Sequence, residues 1–284
     1  MARGGAGEWA GLTFVDVASD GQIDLEHLEV MLEKLGDEVK LLALCWVSNA
    51  TGAVLDLKRV VKMVRKYAKG ARILVDGAQA APHMKIEFDE LGVDFLAFSG
   101  HKMYGPMGIG GLVVKQELLE GMDPFMVGGG MISEVHLEGS IYGSLPDRFD
   151  AGTPNVAGAV GLAAAVDYLE GIGMDEVERH GRDLVGYALE KLSKVDEVIV
   201  VGPRDSEKRL GSVAFVYKGV HAHDVAQVLD SEGIAVRSGH HCTMPLHEKF
   251  KWIATTRASF GVYNDKGDVD KLARGLGKVR EVFK

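Results

Sequence analysis

The chain has 284 residues, enough to bury a sizeable core in one large domain or two ordinary ones. Hydrophobic residues make up 46% of the sequence and charged residues 26%, which is typical of a folded globular protein rather than a disordered or fibrous one. The formal net charge of -9 and the absence of basic runs argue against nonspecific binding of nucleic acid, which depends on Lys and Arg.

Membrane and secretory segments are not indicated by the sequence. No apolar stretch approaches the roughly 20 residues that span a bilayer, and the start MARGGAGEWAG lacks the apolar run of a signal peptide. The two cysteines are too few for a disulfide framework, and Cys45 lies in the apolar run LLALCWV, which favours burial. We expect a cytoplasmic protein that contacts neither membrane nor nucleic acid.

Apolar runs alternate with helical periods through the first half of the chain. We predict strands at 12–17, 39–47 and 72–77, with a helix between each pair. Short β-rich runs separated by amphipathic helices indicate βαβ units on a largely parallel sheet. The first predicted helix begins at Asp24, a good N-cap, and ends at Gly36. Its leucines form one apolar face.

Two more buried strands are predicted at 93–100 and 110–115, joined by the segment HKMYGPMGI. A long Ala-rich helix starts near Asn155, and the rest of the chain alternates strands (VIVVGP, SVAFVYK, IAVRSG) with helices, which indicates a smaller α+β lobe. We therefore predict two domains, a larger one over residues 1–175 and a smaller one over residues 176–284.

Chemically distinctive residues follow the ends of two predicted strands. Asp76 and Gln79 lie in ILVDGAQAAPH, and Ser99, His101 and Lys102 lie after the next strand. Open α/β sheets bind ligands at the carboxyl ends of their strands. A lysine among small residues there can be desolvated, which lowers its pKa and suits it to a Schiff base. Pyridoxal phosphate (PLP) needs such a lysine, an acid partner and phosphate donors together.

The motifs VDGAQAAPH and FSGHKMYGPMGIG resemble the cofactor region of class V aminotransferases, specifically of group II cysteine desulfurases and selenocysteine lyases. The resemblance covers essentially the whole chain. It implies an aspartate aminotransferase-like α/β fold of PLP-dependent transferases, with a mostly parallel sheet in the large domain and a smaller α+β C-terminal domain. It also implies that Lys102 binds PLP, that Asp76 pairs with the pyridine nitrogen and that Gln79 bonds the ring oxygen.

Further cofactor contacts follow from the same resemblance. Ser99 and His101 contact the phosphate, and Asn49 of VSNATG contacts the ring substituent or the substrate. Gly152 and Thr153 of DAGTPN resemble the segment that reaches the phosphate of the partner subunit. The resemblance therefore implies a homodimer with shared sites.

A second motif, RSGHHCTMPLH, contains the other cysteine, Cys242. The thiolate is the nucleophilic form of cysteine, and Arg237, His240 and His241 favour it if their side chains converge. The resemblance implies that Cys242 attacks the sulfur of the PLP-bound cysteine substrate and that Arg257 binds the substrate carboxylate. A guanidinium matches a carboxylate bidentately, which a lysine does not. Arg237 and His241 are further substrate-binding candidates.

A zinc site is the rival interpretation of His240, His241, Cys242 and His247, since all four are metal-ligand types. Adjacent residues cannot easily all point at one ion, and no second cysteine pair accompanies them. We therefore predict no bound metal.

Family members begin earlier than the residue that matches Met1. The additional part supplies a Gly-Thr-Thr-type phosphate cup and a histidine that stacks on the pyridine ring, and neither His27 nor His83 occupies that position. Three explanations stay open: a split enzyme with a separate N-terminal fragment, a truncated gene product, or a degenerate paralogue.

The sequence predicts a PLP-dependent cysteine desulfurase that converts L-cysteine to L-alanine and forms a persulfide on Cys242. The sulfur would pass to an acceptor protein for iron–sulfur cluster or thiocofactor assembly. One alternative is a selenocysteine lyase or another class V PLP lyase or aminotransferase. A second alternative is a noncatalytic or split-enzyme subunit that needs a separate N-terminal fragment.

Overall fold

The computed structural model describes residues 11–283. The expectation about a signal peptide falls largely on residues 1–10 and so lies outside the described part of the chain. The helices are α1 (Leu25–Leu35), α2 (Leu57–Tyr67), α3 (Phe88–Leu91), α4 (Gln116–Leu119), α5 (Val156–Ile172), α6 (Met174–Leu192), α7 (Ala222–Ser231), α8 (Met244–Phe250) and α9 (Lys266–Val282). The strands are β1 (Leu41–Cys45), β2 (Arg72–Asp76), β3 (Phe95–Ser99), β4 (Gly110–Val114), β5 (Ile132–His136), β6 (Gly139–Tyr142), β7 (Val198–Val201), β8 (Ser212–Tyr217), β9 (Arg237–Gly239) and β10 (Thr255–Ser259).

The chain divides into two compact units. Unit 1 combines residues 11–40, 47–71 and 180–283, and unit 2 combines residues 41–46 and 72–179. Unit 1 thus draws on residues from both sides of the predicted domain boundary, and the division after residue 175 stays a prediction.

Unit 2 contains a four-stranded sheet in the order β1-β2-β3-β4. The first three strands run parallel, and β4 runs antiparallel to β3. Asp76 pairs with Cys45 on one side and with Ala97 on the other, so the carboxyl ends of the three parallel strands lie at one edge. The predicted α/β architecture with a mostly parallel sheet is confirmed.

For this half of the chain one strand prediction is wrong, and for another strand the predicted burial is wrong. Residues 12–17 form no strand, because their one backbone bridge joins Val17 to Ile23, and Leu12 and Phe14 are 59% and 76% exposed. β4 forms as predicted but is not buried, since Leu112 is 53% exposed. Within the described residues only β3 pairs with β4, so one edge of β4 faces solvent.

The opposite end of the unit 2 sheet is held by Asp94, which is 1% exposed. Its carboxylate accepts a hydrogen bond from Ile73 N at 2.8 Å and lies 3.3 Å from Lys115 Nζ. A buried carboxylate needs such partners to offset its desolvation. Asp94 therefore ties β2 to the ends of β3 and β4, away from the edge that carries Asp76.

Unit 1 contains an antiparallel sheet in the order β7-β8-β10-β9. Helices α7 and α9 and the part of α6 from residue 180 pack on it around a core that includes Phe215, Leu229, Leu272 and Leu276. This confirms the predicted α+β lobe. The sheet places Arg257, on β10, between Ala214 of β8 and Arg237 of β9.

Helix α1 of unit 1 begins and ends where the sequence predicts. The Asp24 side chain accepts hydrogen bonds from Glu26 N and His27 N, and Gly36 closes the helix with a φ of 50°. Leu28 and Leu32 are 1% and 2% exposed. The amphipathic pattern and the capping residues therefore specified this helix locally.

Membrane-spanning potential is low among the helices of residues 11–283. No helix by itself is both long and apolar enough to cross a bilayer, and α5 and α6 meet the length and composition only as a bent pair.

Candidate active site

The carboxyl end of β2 in unit 2 presents Asp76. Its Oδ1 accepts a hydrogen bond from Ala78 N at 2.9 Å, and the side chain is otherwise exposed. Gly77 follows and donates its N–H to Ala97 O at 2.8 Å. A Cβ at Gly77 would lie 2.9 Å from Leu96 Cδ1, so glycine allows this close approach to β3. The half-buried Gln79 continues the same turn.

Lys102 lies just beyond the end of the neighbouring strand β3. Ser99 is the last residue of β3, and Gly100–Lys102 form a short 3-10 turn that leaves His101 exposed and Lys102 half-buried. In residues 11–283 the Lys102 ammonium has no hydrogen-bond or ion-pair partner. Because β2 and β3 are adjacent and parallel, Asp76, Ser99 and Lys102 all belong to the same edge of the sheet.

The Lys102 loop (residues 100–109) is closed on itself by backbone hydrogen bonds. Gly100 N donates to Ile109 O at 2.9 Å, and Gly105 N donates to Gly100 O at 2.9 Å. A Cβ at Gly100 would lie 2.8 Å from Ile109 Cγ2. The loop that carries the lysine therefore has one compact path, and glycine at position 100 is required for it.

Helix α5 fixes this loop from outside. Asn155 caps the helix by accepting from Gly158 N at 2.9 Å and also donates from Nδ2 to Gly108 O at 3.1 Å. A Cβ at Gly161 would lie 2.5 Å from Pro106 Cγ, so the helix and the loop touch at a glycine. In the sequence Asn155 is recognisable only as a helix start. The contact at Gly161 could have been anticipated only from the presence of glycine within an Ala-rich helix.

Gly152 and Thr153 precede α5 in unit 2. Gly152 has a φ of 86°, which favours glycine, and its N–H donates to Gly129 O at 2.8 Å. Thr153 is exposed. Their predicted role toward a partner subunit stays a prediction.

Cys242 of unit 1 lies on a strained turn. His241 and Cys242 have φ values of 50° and 62°, and Thr243 N donates to His240 O at 2.9 Å, as in a type I′ turn. A left-handed conformation costs a non-glycine residue about 1–2 kcal/mol. The turn leaves the Cys242 side chain exposed. Such strain is common at functional sites, where the surrounding structure maintains it.

His241 is held inside unit 1 beneath this turn and is 2% exposed. Its Nε2 lies 3.1 Å from Thr255 O, and a carbonyl only accepts, so Nε2 carries the hydrogen. Nδ1 is then a bare acceptor, and it is buried with no hydrogen-bond partner among the residues that the structure describes. Burial and the nearby Arg257 lower the pKa of His241 to about 4. His241 is therefore neutral at physiological pH.

Arg257 and the Cys242 turn are joined through Asn49. Arg257 Nη1 donates to Asn49 O at 2.6 Å, and Asn49 Nδ2 donates to His241 O at 2.5 Å. Burial and Arg237, its cross-strand neighbour, lower the pKa of Arg257. Its Nε is buried without a partner, and in residues 11–283 no carboxylate pairs with it. The guanidinium is thus suited to bind an anion.

The histidines of the rival zinc interpretation have other partners. His240 Nε2 bonds Ile253 O at 3.0 Å, and His247 bonds Thr243 O at 3.0 Å and Thr255 Oγ1 at 3.1 Å. In the part of the chain that the structure describes, no group of three or more His, Cys, Asp or Glu side chains is placed to hold a metal ion.

Residues 7–272 match the model of the family Aminotransferase class-V. The chain belongs to this family. The "Probable cysteine desulfurase" of Halalkalibacterium halodurans is 48% identical over 274 residues, which cover 96% of this chain and 66% of that protein. The apo structure of the cysteine desulfurase from Thermococcus onnurineus NA1 matches with a TM-score of 0.87 at 40% identity, covering 95% of this chain and 66% of that one.

A more distant solved structure is that of a C-DES variant with glycine covalently linked to its PLP cofactor. It is 25% identical, with a TM-score of 0.76, and the match covers 90% of this chain and 65% of that one. The resemblance to cysteine desulfurases that the motifs indicate is confirmed. This class V chain spans slightly less than two thirds of the length of the relatives compared.

Proposed function

We propose that this protein is a PLP-dependent cysteine desulfurase, which converts L-cysteine to L-alanine and takes up the sulfur as a persulfide on Cys242. One observation carries the proposal. Asn49 hydrogen-bonds both Arg257 and the backbone of the Cys242 turn, so one network holds a guanidinium that can bind a carboxylate and an exposed thiol. Cysteine offers both a carboxylate and a sulfur.

The residues at the sheet edge of unit 2 fit PLP. Lys102 has no competing partner in the described chain, and the exposed Asp76 carboxylate lies at the end of the adjacent parallel strand. Lys102 would hold the cofactor covalently and Asp76 would pair with its ring nitrogen. PLP supplies an electron sink that makes the α-proton of the substrate acidic. The solved C-DES variant carries glycine on this same cofactor.

The remaining contacts follow the predicted assignments. Gln79 would bond the ring oxygen, Ser99 and His101 the phosphate, and Asn49 the ring substituent or substrate. Gly152 and Thr153 would reach the phosphate bound by a second copy of the chain.

Lys102 and Arg257 have separate tasks in the proposed reaction. Arg257 binds the carboxylate of the substrate with its guanidinium fork, and Arg237 adds a second positive charge from the neighbouring strand. Lys102 Nζ removes the proton from the substrate α-carbon. His241, neutral and anchored on Thr255, helps to shape the substrate pocket without adding charge.

Cys242 carries out the sulfur transfer. Its thiolate Sγ attacks the substrate sulfur, an S–S bond forms, and the C–S bond breaks with its electron pair left on the substrate carbon. Protonation there and return of a proton to the α-carbon give alanine, so cysteine and enzyme thiol become alanine and enzyme persulfide without another oxidant or reductant.

Partners follow from the same chemistry. The persulfide sulfur must be transferred from Cys242 before the next turnover, so we propose an acceptor protein that feeds iron–sulfur cluster or thiocofactor assembly in the cytoplasm.

A homodimer is supported by apolar side chains that unit 2 leaves exposed on the β5–β6 hairpin, among them Val135, Leu137 and Ile141.

The test is alanine formation from cysteine by the purified chain with PLP, alone and with the N-terminal segment of a cysteine desulfurase relative. We expect Cys242→Ala to lose alanine formation yet keep the visible absorption of bound PLP, and Cys45→Ala to keep both. Activity of Cys242→Ala equal to wild type on cysteine would contradict the proposal. If wild type and Cys242→Ala both act on selenocysteine and neither acts on cysteine, the protein is instead a selenocysteine lyase.

A further inference from the structure

Arg209 is a cation buried in unit 1, and no carboxylate of residues 11–283 pairs with it. It is fully buried, and its donors go to three backbone carbonyls: Ser212 O at 3.0 Å, Pro203 O at 2.8 Å, and Val201 O. Burial lowers its pKa to about 9. A buried guanidinium is costly unless every donor is used. Nothing in the local sequence marks this residue, because its setting depends on distant segments.

Two glycines with positive φ make room for this side chain. At Gly52, with a φ of 69°, a Cβ would lie 3.0 Å from Arg209 Cγ and 2.6 Å from Ser212 O. At Gly202, with a φ of 93°, a Cβ would lie 3.2 Å from Arg209 Nη2 and 2.5 Å from Thr51 O. The backbone of the Asn49 loop (residues 48–54) thus packs directly on the guanidinium and its stem.

Backbone hydrogen bonds attach the Asn49 loop on both sides of Arg209. Leu210 N donates to Gly52 O at 2.9 Å, and Val54 N donates to Lys208 O at 2.9 Å. The loop is also closed internally, since Gly52 N donates to Ser48 O at 2.9 Å. Its position in unit 1 is therefore set by the segment that Arg209 organises.

The same loop determines where Asn49 stands. Asn49 O accepts from Arg257, and Asn49 Nδ2 donates to His241 O beside Cys242. A displaced loop would remove one bond from the guanidinium and one from the strained turn.

We propose that Arg209 is a positioning residue for substrate binding: its buried guanidinium fixes the Asn49 loop and thereby places Asn49 against Arg257 and the Cys242 turn. The inference deepens the proposed function and rests on it, because it takes Arg257 as the carboxylate-binding residue.

The test uses two alkylating reagents on Cys242 of the full chain. Iodoacetate carries a carboxylate and iodoacetamide is neutral, so the ratio of their rates at Cys242 reports on nearby guanidinium charge while thiol reactivity cancels. Mass spectrometry assigns the modified cysteine. Arg257→Met defines the ratio without the Arg257 charge. Arg182→Lys is the matched control, since Arg182 also donates to backbone carbonyls of unit 1, at Ser206 and Glu207, whereas the Asn49 loop is bonded to Lys208 and Leu210.

We expect Arg209→Lys to lower the ratio about threefold, the effect of weakening one exposed carboxylate–guanidinium attraction. Lysine keeps the charge but cannot span three carbonyls as the planar fork does. The KM for cysteine should rise while kcat changes less. Gly52→Ala should also lower the ratio, because the added Cβ would displace the Asn49 loop while Arg209 itself is unchanged. Arg182→Lys should match wild type.

If both variants melt cooperatively and keep the wild-type ratio, Arg209 only stabilises the fold and the inference is wrong. If Arg209→Lys does not fold, the ratio for Gly52→Ala decides. The alkylation needs neither PLP nor turnover. A wild-type chain that makes no alanine would therefore remove the desulfurase proposal and still leave the role of Arg209 measurable.

Discussion

The Lys102 loop of unit 2 and the Cys242 turn of unit 1 are positioned by different kinds of contact. The loop is held by its backbone and by glycines, through Gly100 and the packing of Pro106 on Gly161. The turn is held by side chains, since Asn49 bonds both its backbone and Arg257. Side-chain substitutions should therefore act locally in unit 2, whereas in unit 1 they should spread through a hydrogen-bonded network.

The largest expected effect is that of Lys102→Ala. In the proposed reaction Lys102 holds PLP and removes the α-proton, so its loss should lower alanine formation by at least about 10³-fold. The visible absorption of bound PLP should also disappear. More than a tenth of wild-type turnover would contradict the assignment.

Acid should destabilise the protein through His241. The pKa of His241 is about 4 in the fold and about 6.5 when unfolded, so between these values the unfolded chain binds more protons. The stabilisation is complete above about pH 6.5 and is lost as the pH falls toward about 4, by up to about 3 kcal/mol. Burial lowers the pKa of His83 in unit 2 to about 4, so His83 acts in the same direction.

Urea unfolding at about pH 7.5 and about pH 4.5 measures this loss of stability. His241→Asn should reduce the difference between the two pH values, since asparagine tolerates the positive φ and does not titrate. The control His136→Gln replaces an exposed histidine of unit 2 and should leave the difference unchanged. An unchanged difference in His241→Asn would show that His241 does not contribute.

Arg257→Lys should have a smaller effect on activity than loss of Lys102. The charge remains, but the bidentate fork and the bond to Asn49 O are lost. We expect the KM for cysteine to rise about tenfold, the equivalent of one hydrogen bond to a charged group. The PLP absorption should not change. A fall in kcat with unchanged KM would place Arg257 in another role.

The smallest expected effects come from removing one helix N-cap in each unit. Asp24→Ala and Asn155→Ala each remove an N-cap and should each lower the free energy of unfolding by about 1 kcal/mol. Asn155 also bonds Gly108 O in the Lys102 loop, so only Asn155→Ala should weaken PLP retention. Dialysis followed by absorption spectroscopy measures this retention. Equal retention in both variants would mean that α5 does not position the loop.

Local patterns in the sequence determined much of this molecule. The caps of α1 and the strand ends with Asp76 and Lys102 follow from residues close together along the chain, and the motifs around them indicated the family. These features depend on backbone bonds and apolar faces within one element or between successive elements.

Only the tertiary structure decided how the reactive turn is supported. Asn49 lies 192 residues from His241 and 208 from Arg257, and Arg209 meets the Asn49 loop only in the folded chain. The absence of a strand at 12–17 and the exposure of Leu112 have the same cause. Whether an apolar run pairs, and on how many sides, depends on neighbours that the run itself does not encode.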